Sequence, residues 1–586
     1  MGGWSQMSEQ SVGSAPWAYG SALQLAMAGK IRNSSWNSWI VAILAGGLTT
    51  YLWQKEGQFT NVLFVTGVTF SLVAAITALC RRLVFALVVV SAFVALIVWT
   101  ATIKRQTMNM VVHAYDLIFY LGSWSTIHFL WNDQRALVLS FMVALVVTIA
   151  VATLVWRRDT ATVSRTSSLA ACLICMGLAT LGAATKGERR HMQFNFEALY
   201  VSSFFASWAE TLETLWRGSM LEAASAALKP APAFKPFSDC NPFEKPPHIV
   251  LIHQESLVPP GQFPTLQYDH SVDDMFRSDD GRTHKMRVET YGGASWLTEF
   301  SIMTGVSTQA FGGMRQFVQT FLVNKLKDTL PQNLAQCGYR NVVFYPMLRN
   351  FVSNDKFYAS IGLGEVFDAK AQGAKSANER DRFYYRNALD EMGRHFGSSD
   401  KPLFTYIQTM SAHWPYDIKF EPNEEVAGGG VGTNPEMSEY LRRVSLAKID
   451  YDELVSELKR RFPSEHFLIM HYGDHQPTAT RTLLGYKEEV EAEDVDLGQD
   501  SPGFLTYFAA QGLNYTVPPL PSQEVVDVPY LGLLVLQAAG LPLSEAYRER
   551  ERLLTLCEGR NYGCKHHHVI LGFHRRLIDS GIIVAR

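Results

Sequence analysis

One stretch of this chain, Ile249-Val-Leu-Ile-His-Gln-Glu255-Ser256, is a short apolar run that ends abruptly in a carboxylate. A second stretch has the same form, because the mainly apolar residues from Phe467 to His471 lead into Gly473-Asp474-His475. Apolar runs of this length are typical of buried strands. In an open α/β sheet, the loops at the carboxyl ends of the strands carry the functional side chains. The two stretches therefore predict a buried sheet with acidic and imidazole side chains at one edge.

From His248 onward, short apolar runs alternate with helical stretches. This alternation predicts an α/β domain with a mainly parallel sheet and helices on both faces. The predicted strands are His248–His253, Asn341–Tyr345, Leu403–Gln408 and Phe467–His471, and the predicted helices are Leu297–Met303 and Glu436–Leu458. The net charge of −3 gives no footprint of nucleic-acid binding.

A serine follows a glycine pair at the start of one predicted helix. Gly292 and Gly293 precede Ala294 and Ser295, and the residues after Ser295 have a helical pattern. A serine in this position usually caps the helix. The same geometry would supply free N–H groups that hold a phosphate against the serine oxygen, and a divalent cation would activate the hydroxyl. Ser295 is therefore a candidate nucleophile, and helix capping is the alternative.

Other polar residues are candidates for the same site. Glu255 at the mouth of a buried strand needs a cation or hydrogen bonds to compensate for lost solvation, so a metal, a helix start or an arginine are its possible partners. Asp474 and His475 form an adjacent pair after a glycine that permits a sharp turn, which favours metal binding. His413, in the loop after Leu403–Gln408, would protonate a leaving alkoxide or hold a phosphate oxygen, unless it is structural.

The first part of the chain is rich in long apolar runs. Five of them are each about long enough to cross a hydrocarbon core of roughly 30 Å as a helix. They are Trp39–Trp53, Asn61–Cys80, Leu83–Thr102, Ala136–Trp156 and Ser167–Thr185. Residues 37–185 are therefore predicted to form a transmembrane domain, preceded by a cytoplasmic segment of residues 1–36. A sixth stretch, Val111–Leu130, is interrupted by two histidines and an aspartate, and we expect it to be interfacial or re-entrant.

The positive-inside rule does not decide which side of the membrane holds the rest of the chain. With five spans, the basic residues of the inner loops are Lys30, Arg32, Arg81, Arg82, Arg157, Arg158 and Arg165, and those of the outer loops are Lys55, Lys104, Arg105, Arg135, Lys186, Arg189 and Arg190. The two counts are equal. Six spans would instead place the large domain in the cytoplasm.

Residues 186–247 are predicted to join the two parts of the chain. The stretch up to about residue 226 is rich in aromatic residues and would lie along a membrane surface. The proline-rich stretch after it would be an extended linker. The soluble domain is thereby predicted to span residues 248–586.

Four cysteines lie outside the apolar spans: Cys240, Cys337, Cys557 and Cys564. An even number in an exported domain permits disulfides, and Cys557 and Cys564 would close a short loop. Four unpaired thiols are the alternative. The run His566–His568 is predicted to end a strand rather than to bind a metal.

Four motifs in order resemble those of the lipoteichoic acid synthase and phosphoglycerol transferase family, in the sulfatase-like branch of the alkaline phosphatase superfamily. They are Leu251–Ser256, Gly292–Phe300, Ser411–Tyr416 and Gly473–His475. The resemblance includes the membrane spans. It implies an α-helical membrane domain followed by an α/β sulfatase-like domain, with this second domain on the periplasmic or extracytoplasmic side of the cytoplasmic (inner) membrane.

The resemblance also implies roles for the candidate residues. The implied metal ligands are Glu255, Ser295, Asp474 and His475, with Ser295 also as the nucleophile and His413 as a substrate-site histidine. Oxygen-rich ligands with one imidazole suit Mn²⁺, and Zn²⁺ is compatible. A true sulfatase is not implied, because Ser295-Trp-Leu-Thr-Glu299 lacks the Cys/Ser-x-Pro-x-Arg pattern that formylglycine formation requires.

The implied activity is the transfer of a phosphoglycerol or phosphoethanolamine group. A metal-dependent phosphotransferase would take the headgroup of phosphatidylglycerol or phosphatidylethanolamine through a covalent intermediate on Ser295, and pass it to a glycan or glycolipid of the cell envelope. A phosphoric-ester hydrolase, in which water takes the group, is one alternative. A catalytically inactive membrane protein that binds an envelope glycan or a partner is the other.

Two features depart from the family's pattern. The family nucleophile is usually threonine, and Ser295 keeps the hydroxyl. Within Phe344–Asp368, the positions that grip glycerol phosphate in the family carry Leu348, Val352 and Asn354. The candidates for recognising a different headgroup are Arg349, Asn350 and Asp355.

Overall fold

The computed structural model describes residues 35–108, 110–120, 127, 130, 131, 135–185, 199–217, 221–225, 231–237, 240, 242, 245–349, 354–376, 378–431, 433–487, 497, 498 and 500–584. The chain divides into two compact units. The first unit comprises Met1–Gln106, Met110–Ala114 and Ile127–Glu210, and the second comprises Thr107–Asn109, Tyr115–Thr126 and Thr211–Arg586. Almost all of the predicted cytoplasmic segment, and residues 186–198 of the predicted surface segment, lie outside the described residues.

The apolar part of the chain forms long helices. In chain order the helices are α1 (Ser35–Glu56), α2 (Phe59–Cys80), α3 (Leu83–Met108), the short α4 (Ala114–Phe119), α5 (Arg135–Arg158) and α6 (Arg165–Ala184). Helices α2, α3, α5 and α6 are long and apolar enough to cross a membrane, and they correspond to four of the five predicted spans. The first predicted span, Trp39–Trp53, lies in α1, where a glycine pair and a threonine pair dilute the apolar residues. Its crossing of the membrane stays a prediction.

Helices α2 and α6 approach each other closely where glycines lie at their contact. A Cβ atom added to Gly67 would lie 2.6 Å from the backbone nitrogen of Ala179, and one added to Gly182 would lie 2.6 Å from that of Phe64. Small residues at such contacts let the backbones of two membrane helices pack directly. The packing of this helix pair therefore depends on both glycines.

Part of the stretch Val111–Leu130 belongs to the second unit. In it, Tyr115, Phe119 and Tyr120 pack their rings against Phe317, with ring centroids 5.6 to 6.0 Å apart. Residues 121–126, 128 and 129 lie outside the described residues. The interfacial or re-entrant placement of the stretch stays a prediction.

The second unit contains an eight-stranded sheet in the part of the chain that the structure describes. Its strands are β1 (His248–Gln254), β2 (His284–Arg287), β3 (Arg340–Phe344), β4 (Glu365–Phe367), β5 (Leu403–Gln408), β6 (Phe467–Gly473), β7 (Leu505–Leu513) and β8 (Val525–Asp527). Their spatial order is β4-β3-β5-β1-β6-β7-β2-β8. Neighbours are parallel from β4 to β6, whereas β7 is antiparallel to β6 and to β2, and β2 and β8 are parallel. The predicted α/β domain with a mainly parallel sheet is confirmed.

Helices pack around this sheet. The α-helices of this unit are α8 (Glu222–Ser225), α9 (Ser295–Thr304), α10 (Val318–Phe321), α11 (Leu330–Gln336), α12 (Asn354–Ser360), α13 (Ala369–Gln372), α14 (Asp381–Phe396), α15 (Pro435–Arg461), α16 (Leu531–Ala538), α17 (Glu545–Leu556) and α18 (His567–Asp579). They follow α7 (Tyr200–Arg217), which lies mostly in the first unit. Helices α14 and α15 share one core with Val250 and Ile252 of β1. Every residue of β1, β5 and β6 is buried, as in parallel sheets that are covered on both faces.

Two disulfides, Cys240–Cys337 and Cys557–Cys564, link the four cysteines outside the apolar spans. The alternative of four unpaired thiols is therefore wrong. The prediction that His566–His568 ends a strand is also wrong, because His567 begins α18. The apolar residues that follow recur at helical spacing, with Ile570, Phe573 and Leu577 buried on one face.

Candidate active site

Strands β1 and β6 end at the same level of the sheet. They are parallel neighbours in a register that pairs Gln254 with Gly473, so Glu255 and Asp474 leave the sheet side by side. The backbone N–H of Ser256 donates to Asp474 Oδ1 at 2.7 Å. A Cβ atom on Gly473 would lie 1.9 Å from the carbonyl oxygen of Leu257, so a side chain there would push the two strand ends apart. This close backbone approach explains why glycine precedes the Asp-His pair.

A tight turn delivers Ser295 to the same edge. Gly292 and Ala294 both have positive φ, 67° and 61°, and the Ala294 conformation is unfavourable for a residue with a side chain. The N–H of Gly292 donates to the carbonyl of Gln476 at 3.0 Å, which ties the turn to the loop after β6. Ala294 is the N-cap of α9, and Ser295 is its first helical residue. Ser295 therefore does not cap the helix, and the capping alternative is wrong.

The four predicted metal ligands come together. Ser295 Oγ lies 3.0 Å from Glu255 Oε2 and 3.4 Å from His475 Nε2. His475 Nε2 in turn lies 3.3 Å from Asp474 Oδ2 and 3.4 Å from Glu255 Oε1. Glu255, Asp474 and His475 are all buried. Among the described residues the ion-pair partner of Glu255 is His475, and arginine is not among its contacts.

A further histidine, His253 of β1, adjoins this cluster and was missed by the sequence analysis. Its Nε2 lies 3.1 Å from Asp474 Oδ2, and its Nδ1 lies 3.1 Å and 3.0 Å from the hydroxyls of Tyr406 and Tyr472. His253, Glu255 and Asp474 together offer ligand atoms within 4.8 Å of one another. The sequence does indicate that His253 is near the site, because residues two apart on a strand, such as His253 and Glu255, point to the same face.

The electrostatics of the cluster favour a cation. Burial alone would raise the pKa of Asp474, but His475 and His253 hold that pKa below its usual value. Burial alone would lower the pKa of His475, but Asp474 and Glu255 raise it to about 9. Two buried carboxylates thus create a negative potential that holds positive charge at this point. The donor set of carboxylate oxygens, one hydroxyl and imidazole fits Mn²⁺ or Zn²⁺.

The helix that begins at Ser295 is anchored by a buried carboxyl group. Glu299 accepts hydrogen bonds from the Tyr358 hydroxyl at 2.6 Å and from the side-chain amides of Gln319 and Gln408 at 2.8 Å each. Burial raises the pKa of Glu299. The bond to Gln408, the last residue of β5, fixes α9 against the carboxyl end of the sheet.

His413 lies on the loop after β5, at the same edge. The loop begins at Thr409, whose hydroxyl accepts a hydrogen bond from the N–H of Glu255 at 3.3 Å. The His413 side chain is half-buried, and its Nδ1 lies 2.5 Å from the carbonyl oxygen of Trp414. No hydrogen bond or ion pair joins the His413 ring to the ligand cluster in the described part of the chain. Its role in catalysis stays a prediction.

The candidates for headgroup recognition are only partly described. Asn350 and Val352 lie outside the described residues. Asn354 is buried and donates to the Tyr345 hydroxyl at 2.7 Å, so it supports the local fold. Arg349 and Leu348 are exposed. Recognition of a headgroup by Arg349, Asn350 and Asp355 stays a prediction.

Comparison with known proteins agrees with this geometry. Residues 247–496 match the Sulfatase family model. The predicted resemblance is confirmed for this part of the chain, which contains the candidate nucleophile and the proposed ligands.

Among curated proteins, the chain is 24% identical over 324 residues to an uncharacterized protein of Haemophilus influenzae, a match that covers 53% of this chain and 57% of that protein. It is 21% identical over 154 residues to the lipoteichoic acid synthase of Staphylococcus saprophyticus, covering 25% of this chain and 23% of the synthase. The match thus spans only about half or a quarter of the length of these relatives.

Two solved structures resemble the chain at low sequence identity. The lipooligosaccharide phosphoethanolamine transferase EptA of Neisseria meningitidis is 11% identical with a TM-score of 0.47, covering 86% of this chain and 97% of that one. The phosphoglycerol transferase GacH of Streptococcus pyogenes, in complex with sn-glycerol-1-phosphate, is 15% identical with a TM-score of 0.45, covering 58% and 87%.

Proposed function

We propose that this chain is a membrane-anchored, metal-dependent phosphotransferase. It moves the headgroup of phosphatidylglycerol or phosphatidylethanolamine to a glycan or glycolipid of the cell envelope. The observation that carries the proposal is the convergence of the Ser295 hydroxyl with Glu255, Asp474 and His475 at the carboxyl edge of the sheet. The sequence similarity to the lipoteichoic acid synthase of Staphylococcus saprophyticus agrees with this class of reaction.

The proposed ligands are Glu255, Ser295, Asp474 and His475, with Mn²⁺ as the proposed ion and Zn²⁺ as the alternative. When bound, the ion supplies positive charge that activates the hydroxyl and stabilises charge on the phosphoryl oxygens. The buried carboxylates fit this role, because their ion-pair partners among the described residues are the imidazoles of His475 and His253.

The residues of the chain perform two displacements at phosphorus. Ser295 Oγ gives up its proton to solvent and attacks the phosphodiester, the bond from phosphorus to the diacylglycerol oxygen breaks, and the headgroup phosphate stays on Ser295. The N–H groups at the start of α9 would bind the phosphoryl oxygens. His413 protonates the departing alkoxide. An acceptor hydroxyl then gives its proton to the neutral His413 and attacks the same phosphorus, the bond from phosphorus to Ser295 Oγ breaks, and Ser295 takes up a proton from solvent to regain its hydroxyl.

The proposed location is the cytoplasmic (inner) membrane, with the catalytic unit on the extracytoplasmic side. Four helices suited to crossing a membrane support the anchor. The two disulfides support the orientation, because disulfides persist in oxidising compartments. An anchored enzyme also suits a donor that never leaves the bilayer.

The test is mass spectrometry of the purified, full-length protein after incubation with Mn²⁺ and vesicles of phosphatidylglycerol or phosphatidylethanolamine. We expect a glycerophosphoryl or phosphoethanolamine adduct on the peptide that contains Ser295, and release of diacylglycerol. The Ser295→Ala variant is the negative control. The Ser256→Ala variant is the matched control, because the Ser256 hydroxyl also bonds to Glu255, at 2.9 Å.

The outcomes separate the alternatives. An adduct that is discharged by water as fast as by a glycan acceptor identifies the phosphoric-ester hydrolase. Absence of both the adduct and diacylglycerol with either lipid contradicts the proposal, and leaves an envelope-glycan-binding protein as the better account.

A further inference from the structure

The loop between β5 and α15 carries His413, and buried side chains bind its backbone on both sides of that residue. The side chains of Met410, Ala412 and Tyr416 are buried in the core, whereas His413 is half-buried and Trp414 is 50% exposed. The buried side chains anchor the loop on both sides of His413. The backbone contacts add to this packing and bear on His413 itself.

The first contact comes from Asp381, the first residue of α14. Its Oδ1 accepts hydrogen bonds from the N–H groups of Met410 and Ser411 at 3.1 and 2.9 Å. The N–H of Asp381 donates to the Ser411 hydroxyl at 2.9 Å. The Asp381 side chain is buried. One carboxyl group thus binds two successive amides just before His413.

The second contact comes from Arg443 of α15. Its Nη1 donates to the carbonyl oxygen of His413 at 2.5 Å, and its Nη2 donates to those of Pro415 and Ile418 at 2.7 and 2.8 Å. Its Nε donates to Glu439 at 2.9 Å, which holds the guanidinium in place. Arg443 is 3% exposed. The planar fork of arginine matches three carbonyls in fixed directions, which the point charge of a lysine does not.

We propose that Asp381 and Arg443 are positioning residues that clamp this loop and so hold His413 in place for phosphoryl transfer. Asp381 fixes the residues before His413, and Arg443 fixes the carbonyl of His413 itself and two carbonyls after it. The inference rests on the proposed function for the role of His413. The clamp itself rests only on the hydrogen bonds.

A double-mutant cycle tests the coupling between Arg443 and His413. The variants His413→Ala, Arg443→Gln and the double substitution are compared with the wild type by the rate of diacylglycerol release from vesicles of the lipid that labels Ser295. We expect each single variant to lower kcat by about ten- to a hundredfold. The double variant should fall no more than about threefold below His413→Ala, since the two residues act as one unit. Losses that multiply overturn the proposal.

A neighbouring arginine provides the matched control. Arg442 is also buried, also bonds to Glu439, and donates to the carbonyls of Phe420, Glu421 and Glu424 beyond the clamped part of the loop. Arg442→Gln should retain most of the turnover, and Arg443→Lys should recover only part of it. If Arg442→Gln lowers kcat as much as Arg443→Gln does, general damage to α15 explains the loss and the clamp has no special role.

Hydrogen exchange tests the clamp without reference to activity. In the full-length protein the amides of Met410 and Ser411 should exchange slowly, and Asp381→Ala should release both while the amides of β5 stay protected. Fast exchange in the wild type overturns the clamp even if Ser295 is labelled. Slow exchange without a Ser295 adduct supports the clamp and contradicts the proposed phosphotransfer instead.

Discussion

Ser295 unites the two roles that the site requires, since its hydroxyl is both the proposed nucleophile and a proposed ligand. Ser295→Ala should lower turnover by about 10⁴-fold or more, because the attacking oxygen is lost. The protein should keep its fold and most of its bound Mn²⁺, since the carboxylates and imidazole remain. The rate of diacylglycerol release checks the loss of turnover, and the metal content of the purified variant checks that Mn²⁺ is retained.

Carboxylate variants give the opposite pattern and serve as the control. Glu255→Ala and Asp474→Ala should lose both Mn²⁺ and turnover, because each removes a buried negative charge that faces His475. Ser295→Thr should stay active, since threonine keeps the hydroxyl. Normal turnover in the alanine variant of either Ser295 or Glu255 would show that the site has been assigned wrongly.

A second prediction at the residue scale concerns acid stability. His574 is 1% exposed, and neither ring nitrogen has a hydrogen-bond partner among the described residues. Burial lowers the pKa of His574 to about 4, despite the opposing charge of Glu222. Because the unfolded imidazole titrates near 6.5, stability is intact above that pH and falls as the pH drops towards 4. At pH 5 the loss amounts to about 2 kcal/mol in the free energy of unfolding.

His574→Phe should remove this loss. The melting temperature of the variant minus that of the wild type should be larger at pH 5 than at pH 8. Thermal unfolding of the full-length protein in detergent measures this difference. His568→Phe is the control, because His568 is exposed on the same helix. Equal pH dependence in the wild type and His574→Phe would contradict the assignment of a neutral buried imidazole.

The residues of the site differ in how far the sequence reveals them. Glu255, Asp474 and His475 were predictable because each follows a buried apolar run directly. His253 lay within such a run, where a polar residue is easily assigned to the strand alone. Asp381 and Arg443 gave no sequence signal, because their partners are backbone atoms of a loop that is distant along the chain.

At the scale of elements, the glycine contacts between α2 and α6 give a prediction. Gly67→Ile and Gly182→Ile should each destabilise the helix pair by about 1–3 kcal/mol, because the new side chains collide with backbone atoms. Gly177→Ile is the matched control, since a Cβ atom on this glycine of α6 meets nothing within 4 Å. Thermal unfolding in detergent measures the effect, and equal melting temperatures for all three variants would contradict the close approach.

The elements themselves were predictable in proportion to their length and regularity. The strands β1, β3 and β5 were expected within one residue at each end, and β6 within two, because continuous apolar runs mark them. Strands β2 and β8, of four and three residues, are too short for a periodic signal. The pairing of β2 with β7, and of β8 with β2, depends on contacts distant in sequence. The histidine run His566–His568 does not itself indicate a helix, whereas the helical spacing of Ile570, Phe573 and Leu577 after it does.

At the scale of the whole molecule, the arrangement of basic residues leaves the orientation undecided, whereas the disulfides supply independent evidence. Cys240 and Cys337 are 97 residues apart in the sequence. In the chain-entropy account, a link over a loop of that length stabilises a fold by about 5 kcal/mol. Such bonds form and persist in oxidising compartments. The state of the cysteines in cells therefore reports the location of the unit that contains the candidate site.

Cysteine labelling tests this location directly. When cells are quenched with acid and the protein is denatured, a polyethylene glycol maleimide should attach to three cysteines, since Cys80, Cys172 and Cys175 are free. After reduction it should attach to all seven. A variant with alanine in place of Cys80, Cys172 and Cys175 should carry no label before reduction and four labels after it. Labelling of all seven cysteines before reduction would mean that the second unit resides in a reducing compartment. This result would contradict the proposed extracytoplasmic orientation and would leave the proposed site chemistry untouched.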